Sequence, residues 1–292
     1  MLSELPHVGE RTARAILWRC AQRGHGLAAF FHLPAQVLRR DFVLPEAALR
    51  CLDQHLEAHR RRCEWLSAQL LACGGAAWTL LDPDYPERLR RWSHAPPIIF
   101  TAGTPCALER STLALLHSRT PTEQTVALVS LVVERAARAG FAVVTSNGKA
   151  AYRLVGVASR ALSARRIVVL DRGLFSALGP SLARDPCTNA APNEGVFRTD
   201  LQWICSPFRL LDHAVPRNGR RRDAIVGALA DVILALHARP GGEIERVCLE
   251  ALDEGRPVLS WHGENPALVA AGAVPVGEND LNCLGRFAPG SP

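Results

Sequence analysis

Basic side chains and small polar residues recur where predicted strands end and predicted helices begin. Arginine holds phosphate oxygens in a bidentate fork, and backbone N–H groups at a helix start or glycine turn add neutral donors to the same oxygens. Because the carboxyl ends of parallel strands share one edge of a sheet, several of these residues can converge on one electropositive groove. The predicted phosphate-facing set is Ser118, Arg119, Ser146, Gly148, Lys149, Arg153, Arg217, Asn218, Arg220, Arg221, Arg222, Gly241 and Gly242.

Four members of this set are the strongest candidates for phosphate contacts, namely Arg119, Lys149, Arg217 and Arg222. Any single arginine among them is equally well explained by a solvated surface position, because charged side chains are mostly exposed. The argument for phosphate binding therefore depends on the cluster and not on any one member.

The elements that must position this set are clearest over residues 218–263. A short apolar helix (224–229) precedes a continuous apolar run (232–236) that has the length and β-branching of a strand buried on both faces. The glycine turn at 240–242 is followed by a second amphipathic helix that starts at Glu243. This pattern predicts half of a doubly wound parallel domain, with a glycine turn where such folds bind ligands. A lone Gly-Gly pair is also typical of a tight turn that binds nothing.

Strand and helix patterns alternate over residues 111–284, which predicts an α/β fold with a Rossmann-like, doubly wound, mainly parallel sheet. The predicted strands are 113–116, 141–144, 167–170 and 201–205, and the predicted helices are 122–138 and 150–163. In the first of these helices we expect Val126, Val129, Val132 and Val133 to point inward. Residues 175–198 are irregular and polar, which indicates a surface loop with a short helix.

The remaining segments predict a domain order. Residues 1–75 form an all-helical module, 76–110 a proline-rich connector, 111–284 the Rossmann-like domain, and 285–292 a disordered tail. The turn at residues 5–9 resembles the hairpin of helix-hairpin-helix, or SAM-like, modules, in which backbone N–H groups face a DNA phosphate. Plain helix packing explains the same short turn equally well.

Composition suits a polyanionic partner. The formal net charge is +6, the sequence pI is about 9.0, and every basic residue except Lys149 is an arginine. Arginine enrichment of this kind also arises from codon bias in a GC-rich genome, so charge alone favours nucleic acid only modestly. A hydrophobic fraction of 48% is ample for a sizeable core.

Several other classes of function lack their sequence signals. The nine cysteines form no CxxC pair or zinc-finger spacing, which indicates reduced thiols and no metal. The dinucleotide fingerprint GxGxxG is missing, so we expect no NAD or FAD and predict no cofactor. No secretory leader or membrane-spanning run is visible, which favours a cytoplasmic protein with no membrane partner. His117, His213, His237 and His262 lack the context of a Ser-His-Asp set, so we expect no enzyme.

The order of segments from about residue 82 to 281 resembles the DNA-processing protein A (DprA, or Smf) family. The resemblance is strongest in the connector and continues through the loops of the predicted sheet. The matching residues are Asp82, Tyr85, Pro86 and Leu89, then Pro96-Pro97, Ile99-Phe100, Gly103, Ser118-Arg119, Ser146, Gly148, Pro216-Arg217-Asn218, Gly227, Gly241-Gly242, Trp261-His262-Gly263, Asn265 and Gly272-Ala273.

The chain departs from the family pattern in its loops. His117 replaces a family glycine, and Asp223 stands where the family has an arginine when the chains are aligned on Gly227. Glu243 places an anion near the last glycine loop, and Ala151-Tyr152-Arg153 replaces a Gly-Ile-Asp block.

The resemblance implies a non-enzymatic protein that binds single-stranded DNA and acts in DNA processing and recombination, including the loading of RecA during natural transformation. It also implies self-association, since family members commonly form homodimers. Two alternatives stay open on the same fold: a nucleotide-binding sensor or phosphoribohydrolase-like enzyme, and a degenerate scaffold that has lost ligand binding.

Overall fold

The computed structural model of the chain describes residues 1–24, 26–188 and 200–287. A helical N-terminal module leads into a mixed sheet that carries helices on both faces. In the part of the chain that is described, no helix is both long enough and apolar enough to cross a membrane.

The N-terminal module is helical, as the sequence predicts. A single-turn 3-10 helix (Leu2–Glu4) opens the module. Its helices are α1 (Glu10–Gln22), α2 (Leu27–Phe30), α3 (Ala35–Val37), which continues as a π-helical turn (Leu38–Phe42), α4 (Glu46–Gln54) and α5 (Leu56–Ala72). Ile16, Phe30 and Phe42 are buried in its core, where the two phenylalanine rings pack edge to face with centroids 5.0 Å apart. These apolar contacts form a core separate from that of the sheet.

The described strands form one nine-stranded sheet in the order β1-β2-β6-β5-β4-β3-β7-β8-β9. The strands are β1 (Gly75–Thr79), β2 (Ile98–Gly103), β3 (Thr112–His117), β4 (Ala142–Ser146), β5 (Arg166–Val169), β6 (Gln202–Ser206), β7 (Val232–His237), β8 (Val258–Trp261) and β9 (Val274–Val276). All pairs from β6 across to β9 are parallel, whereas β2 pairs antiparallel with both β6 and β1. This confirms the predicted Rossmann-like, mainly parallel sheet.

The direction of strand addition reverses beside β3. After β3 the chain adds β4, β5 and β6 on one side and then crosses back to place β7 on the other side. The loops that follow β3 and β7 therefore leave the sheet in opposite directions and open a crevice between them. In open α/β sheets this switch point is the usual position of a ligand.

Helices cover both faces of the sheet because side chains alternate along each strand. They are α6 (Glu87–Arg91), α7 (Glu123–Arg138), α8 (Ala150–Ala161), α9 (Leu174–Leu178), α10 (Asn218–Leu229), α11 (Glu243–Asp253) and α12 (Pro266–Ala270), followed by a terminal 3-10 helix (Asn279–Phe287). On β3, Leu113 and Leu115 pack against the apolar side of α7, while Ala114 and Leu116 share a cluster with Ile225 of α10.

Helix α7 confirms the predicted helix and corrects one of its residues. Thr122 and Thr125 form a reciprocal capping box at its start. Val129, Val132 and Val133 are buried as predicted. Val126, in the first turn of the helix, is 42% exposed instead.

The segment predicted as a connector contains two strands, the edge strand β1 and its neighbour β2, which pairs with both β1 and β6. β1 is short and partly exposed, and neither strand has the long β-branched run of a central strand, so the pattern gave little signal. Trp78 of β1 stacks on Trp203 of β6 with centroids 6.3 Å apart, and the buried Tyr85 hydroxyl donates to the Pro96 carbonyl at 2.7 Å. The connector is therefore part of the packed sheet.

Two further predictions fall partly outside the described residues. The predicted surface loop at 175–198 includes most of α9, and its residues 189–198 lie outside the described part. The predicted disordered tail started too early, because residues 285–287 belong to the terminal 3-10 helix, in which Leu281 and Leu284 are buried. Residues 288–292 lie outside the described part of the chain.

Candidate nucleic-acid interface

The carboxyl edge of the parallel strands brings together the loops that follow β3, β4 and β7 with the starts of α8 and α10. Each strand ends at this edge and each following helix begins there, so their polar termini share one rim of the sheet. The predicted phosphate-facing residues all lie in these loops and helix starts, apart from Arg153 and the later α10 arginines, which lie one turn further on.

The loops after β3 and β7 are joined by Ser118 and His237. Ser118 Oγ lies 2.8 Å from His237 Nδ1 and accepts the Arg239 backbone N–H at 2.8 Å, while the Ser118 N–H donates to the His237 carbonyl at 2.9 Å. Burial, aided by the Arg119 charge, lowers the pKa of His237 below its ordinary value. Ser118 therefore joins the loops after β3 and β7, and its hydroxyl is already hydrogen-bonded to both His237 and the Arg239 N–H.

A carboxylate lies beyond this pair but does not complete a hydrolytic triad. His237 Nε2 is 3.9 Å from Glu264 Oε2, which is longer than a hydrogen bond. Arg119 Nη1 is also 3.9 Å from the same oxygen. The Arg119 side chain is 64% exposed, so its guanidinium is only loosely held and can reach a ligand.

The glycine loop after β7 uses its donors internally. Gly241 has a φ of 65° and its N–H donates to Glu245 Oε2 at 2.7 Å, while the Gly242 N–H donates to the Arg239 carbonyl at 2.9 Å. We expected these N–H groups to face phosphate. The chain's own carboxylate and a turn carbonyl take them instead.

Lys149, Tyr152 and Arg222 converge on one buried carboxylate, Asp223. Its oxygens accept Lys149 Nζ at 2.7 Å, the Tyr152 hydroxyl at 2.9 Å and Arg222 Nε at 2.9 Å. Burial raises the pKa of Tyr152 well above its ordinary value, which keeps the hydroxyl protonated as a donor. The Asp223 carboxylate is thus fully partnered.

Arg222 was a leading candidate for a phosphate contact, and the structure encloses it. Its side chain is 3% exposed, lies 3.7 Å from Asp171 and has its guanidinium 5.1 Å from the centre of the Tyr152 ring. A Cβ added at Gly148 would collide with Arg222 Nη1, so glycine is required there by the arginine beneath it. Arg222 therefore binds the loops together, and a ligand on the surface does not reach it.

Other members of the predicted set also have structural partners. Ser146 is buried, and its Oγ is 3.4 Å from the Gly148 nitrogen. Asn218 is buried and donates from Nδ2 to the Asp171 carbonyl at 2.8 Å. Arg153 is partly buried on α8. These residues shape the loops more than they offer free donors.

Arg221 connects the sheet to the helical module. Its guanidinium forms an ion pair with Glu10 at 2.5 Å, donates to the His94 carbonyl at 2.8 Å and lies 5.2 Å from the centre of the Trp92 ring. The sequence placed it in the phosphate-facing set. In the structure it holds α1 against the start of α10.

Five cations remain exposed along the carboxyl edge, and we call them the rim. The rim consists of Arg119, Lys149, Arg217, Arg220 and Arg239. Three of them, Arg217, Arg220 and Arg239, make no side-chain hydrogen bond or ion pair with any described residue. These three side chains therefore carry uncompensated positive charge, whereas Lys149 is paired with Asp223 and Arg119 lies 3.9 Å from Glu264.

Arg239 was missing from the predicted set. No motif marks it, but it comes two residues after a buried strand, the same placement that singled out Arg119. Applying that rule to β7 would have found it. Its backbone bond to Ser118 and its place beside Arg220 in one cavity set it between two predicted rim residues.

A cleft of about 560 Å³ lies between the helical module and the same edge of the sheet. The turn before α1 contributes Val8 and Gly9, and the opposite wall contributes Arg209 and Arg217. The predicted hairpin at residues 5–9 is a turn in the structure, with His7 at a φ of 56°. It thus faces a cleft that opens beside the rim. Among the described residues, no cluster of acidic, histidine or cysteine side chains suits a metal ion.

Comparison with known proteins places this edge in context. A family model described as DNA recombination-mediator protein A matches residues 76–276. No curated protein matches the chain in sequence. The structure of DNA processing protein A from Streptococcus pneumoniae aligns with a TM-score of 0.71 and 18% identity, over 98% of this chain and 95% of that one.

A second solved structure has a similar fold. It concerns the single-stranded DNA binding mode of DNA processing protein A from Helicobacter pylori. It aligns with a TM-score of 0.57 and 13% identity, over 73% of this chain and 97% of that one. At these identities the two likenesses establish a shared fold.

Proposed function

The chain belongs to the DNA recombination-mediator protein A family, and from this premise we propose that it binds single-stranded DNA along the rim as a DNA-processing protein in recombination. The observation that carries the proposal is the set of exposed cations Arg119, Lys149, Arg217, Arg220 and Arg239 at the switch point. The similar structure from Helicobacter pylori concerns single-stranded DNA binding, which supports the same ligand.

The rim suits a sugar–phosphate chain better than a small nucleotide. Its cations come from two loops and two helix starts and so follow an edge, whereas a mononucleotide site needs a closed pocket with converging donors. The donors of the glycine loop are also taken by Glu245 and a turn carbonyl. We therefore infer contacts to phosphates that are largely independent of base sequence.

We propose that the protein acts without bond-breaking chemistry. In the Ser118–His237 pair at the rim, the Glu264 carboxylate lies 3.9 Å from His237, and the Ser118 hydroxyl also accepts a backbone N–H. A nucleophile needs a base that is in turn oriented by a hydrogen-bonded third group. This geometry supports binding over hydrolysis.

We further propose that the bound strand is passed to a RecA recombinase during natural transformation, and that the protein self-associates. Both follow from the family and from its commonly dimeric members. Size-exclusion chromatography with light scattering tests the dimer. A RecA strand-exchange assay on single-stranded DNA precoated with a competing binding protein tests the loading.

The central experiment is a fluorescence anisotropy titration of a labelled oligothymidine at several salt concentrations. Wild type should bind at low salt with an affinity that falls steeply as salt rises. The double variant Arg119→Ala/Arg239→Ala should weaken binding and reduce the salt slope by about 1.4, since each single-strand phosphate contact contributes about 0.7.

Arg138 is the matched control for Arg119. It is an arginine of similar exposure, 67% against 64%, and it ends α7 at the amino edge of the sheet, away from the rim. Arg138→Ala should leave the salt slope unchanged. Wild-type protein that retains no oligothymidine at low salt would refute the proposal, as would an Arg138→Ala variant as weak as the double variant.

A further inference from the structure

Trp18 is one of two strongly exposed tryptophans among the described residues, the other being Trp65. It lies on the outer side of α1 and is 61% exposed, although the inner side of the same helix buries Ile16 and Leu17. Exposing a large ring gains nothing for folding, because aromatic side chains stabilise a protein through burial. Its position relative to the rim indicates a role in binding.

The loop at residues 93–95 connects α1 to the rim. Arg14 donates to the Ser93 carbonyl at 3.4 Å and also bonds the Ala95 carbonyl, and Arg221 donates to the His94 carbonyl at 2.8 Å. Trp18 follows Arg14 by four residues, so it is the next side chain on the same face of α1, about one turn away. The ring therefore lies just beyond the loop.

An open cavity of about 860 Å³ lies on the rim side of this loop. Its walls include His94, Arg220 and Arg239. On the far side, α11 contributes carboxylates, of which Glu245 caps the glycine loop. A polyanion that follows Arg239 and Arg220 is repelled by the acidic start of α11, and the open direction leads over His94 towards α1.

Positive charge continues on α1. Arg11 precedes Trp18 by two turns on the same outer side, is exposed, and makes no hydrogen bond or ion pair with any described residue. Arg14, one turn before the ring, is tied to the 93–95 loop. A flat ring with a free arginine beside it is the arrangement that single-stranded nucleic acids use, since bases stack on the ring and phosphates meet the cation.

We propose that single-stranded DNA extends from the rim over the 93–95 loop onto α1, where one base stacks on the Trp18 indole and a neighbouring phosphate contacts Arg11. This inference rests on the proposed function, because the rim must hold the strand first. It gives the helical module a direct part in DNA binding and makes the bound segment longer than the rim alone.

Two oligothymidines of about 5 and about 16 nucleotides test the inference, since binding sites of this kind cover about 4–16 nucleotides. Trp18→Ala should weaken binding of the long strand about tenfold, the usual loss for one stacked base, and leave the short strand unchanged. Trp18→Phe, which retains a stacking ring, should keep most of the affinity. Arg11→Ala should reduce the salt slope for the long strand alone by about 0.7.

Trp65 is the matched control. It is 58% exposed on α5, with Arg61 and Arg62 one turn earlier, but Leu66 and Leu70 of that helix pack in a cluster with Phe100 and Ile204, away from the 93–95 loop. Trp65→Ala should bind both strands as wild type does.

Three results would overturn the inference. In the first, Trp18→Ala and wild type bind the long strand with equal affinity. In the second, Trp18→Ala loses the same affinity for both strands. In the third, Trp65→Ala loses as much affinity for the long strand as Trp18→Ala does. If the wild type binds neither strand, both the proposed function and this inference are wrong. If the wild type binds both strands and Trp18→Ala changes neither, only the inference fails, and the exposed ring is then assigned to a protein partner.

Discussion

The Glu245 carboxylate accepts the Gly241 backbone N–H at 2.7 Å. Gly241 adopts a positive φ, and the loop precedes α11, so the turn has the form that other folds use to bind an anion. Here the anion is part of the chain. A phosphate that approaches this loop meets an occupied donor and a negative charge, so under the proposed function the strand follows Arg239 and Arg220 instead.

Removing this carboxylate should improve DNA binding. We expect Glu245→Ala to raise affinity for oligothymidine severalfold at low salt, because a negative charge near the strand is removed and one N–H becomes free for a phosphate. The same change should cost about 0.3–1 kcal/mol of stability, since an acid in the first turn favours the helix dipole. Anisotropy titration and chemical denaturation measure the two effects.

Glu109 provides a control for net charge. It is exposed in the loop before β3, at the amino edge of the sheet, and Glu109→Ala removes the same formal charge far from the rim. The control should bind as wild type does. If both variants gain the same affinity for oligothymidine, the gain comes from overall charge. If Glu245→Ala loses affinity, the loop needs its internal carboxylate to keep its shape.

Replacing Asp223 should first of all lower the stability of the fold. Its carboxylate is 2% exposed and is held by Lys149, Tyr152 and Arg222. Asp223→Ala leaves Arg222 buried beside a single distant carboxylate, so we expect a loss of about 3–5 kcal/mol in the free energy of unfolding. Urea denaturation followed by circular dichroism measures it.

Lys149 separates the structural from the binding role of this cluster. Its side chain is 38% exposed, so solvent screens its ion pair with Asp223, and Lys149→Ala should cost at most about 1 kcal/mol. It should still lower the salt slope for DNA, as a rim residue. A variant of Asp223 that is as stable as wild type would contradict the structural assignment of this carboxylate.

The central sheet was predictable because its signals are local. β7 is a continuous apolar run between turn residues, and α11 starts directly after a glycine pair, so chain order alone fixes their type. β1 and β2 were missed because their antiparallel pairing joins residues that are far apart along the chain: Gly75 pairs with Ala102. These two segments are strands because of tertiary pairing, which the local sequence pattern does not show.

The site was predictable by position and not by the state of each side chain. Placement after a strand puts Arg119 at the carboxyl edge, but placement at a predicted helix start also selected Arg222, which is enclosed. Whether an arginine is free or enclosed depends on carboxylates from other segments, here Asp171 and Asp223. A single sequence does not show which distant acids meet which arginine.

Stability should fall as the pH drops below the ordinary histidine value of 6.5. Burial lowers the pKa of His59, His117 and His237 in the folded protein. The unfolded chain therefore binds more protons in this window, so the free energy of unfolding rises with pH and is lost on acidification from about pH 7 to pH 5. Urea denaturation at a series of pH values measures the slope.

Two variants assign this slope. In His59→Gln the amide can still donate to the Met1 carbonyl, which the imidazole contacts at 3.1 Å, and in His237→Asn the amide oxygen can replace Nδ1 beside Ser118. Each variant should show a shallower fall between about pH 7 and pH 5 and a curve parallel to wild type at higher pH, where the imidazoles are neutral. A wild type that is more stable at pH 5 than at pH 7 would contradict the prediction that the free energy of unfolding rises with pH.

The contact between Glu10 and Arg221 should hold the helical module against the sheet. The guanidinium is 20% exposed, bonds the His94 carbonyl and packs over the Trp92 ring, whereas Glu10 is 43% exposed. Arg221→Ala should therefore cost about 1–2 kcal/mol, mostly through the ring contact and the lost hydrogen bond. The ion pair itself contributes less, because solvent screens its acidic partner.

A double-mutant cycle on Glu10→Ala and Arg221→Ala isolates the ion pair, with an expected coupling of about 0.5–1 kcal/mol in urea denaturation. Arg39 and Glu46 form the control pair, since they lie within the module at 3.3 Å and are 59% and 65% exposed. Their coupling should be near zero, because both side chains stay in water. Equal couplings in the two cycles would mean that the contact between module and sheet adds nothing to the pair. A larger coupling for Glu10 and Arg221 would show that docking of α1 removes water from it, which also fixes the 93–95 loop between α1 and the rim.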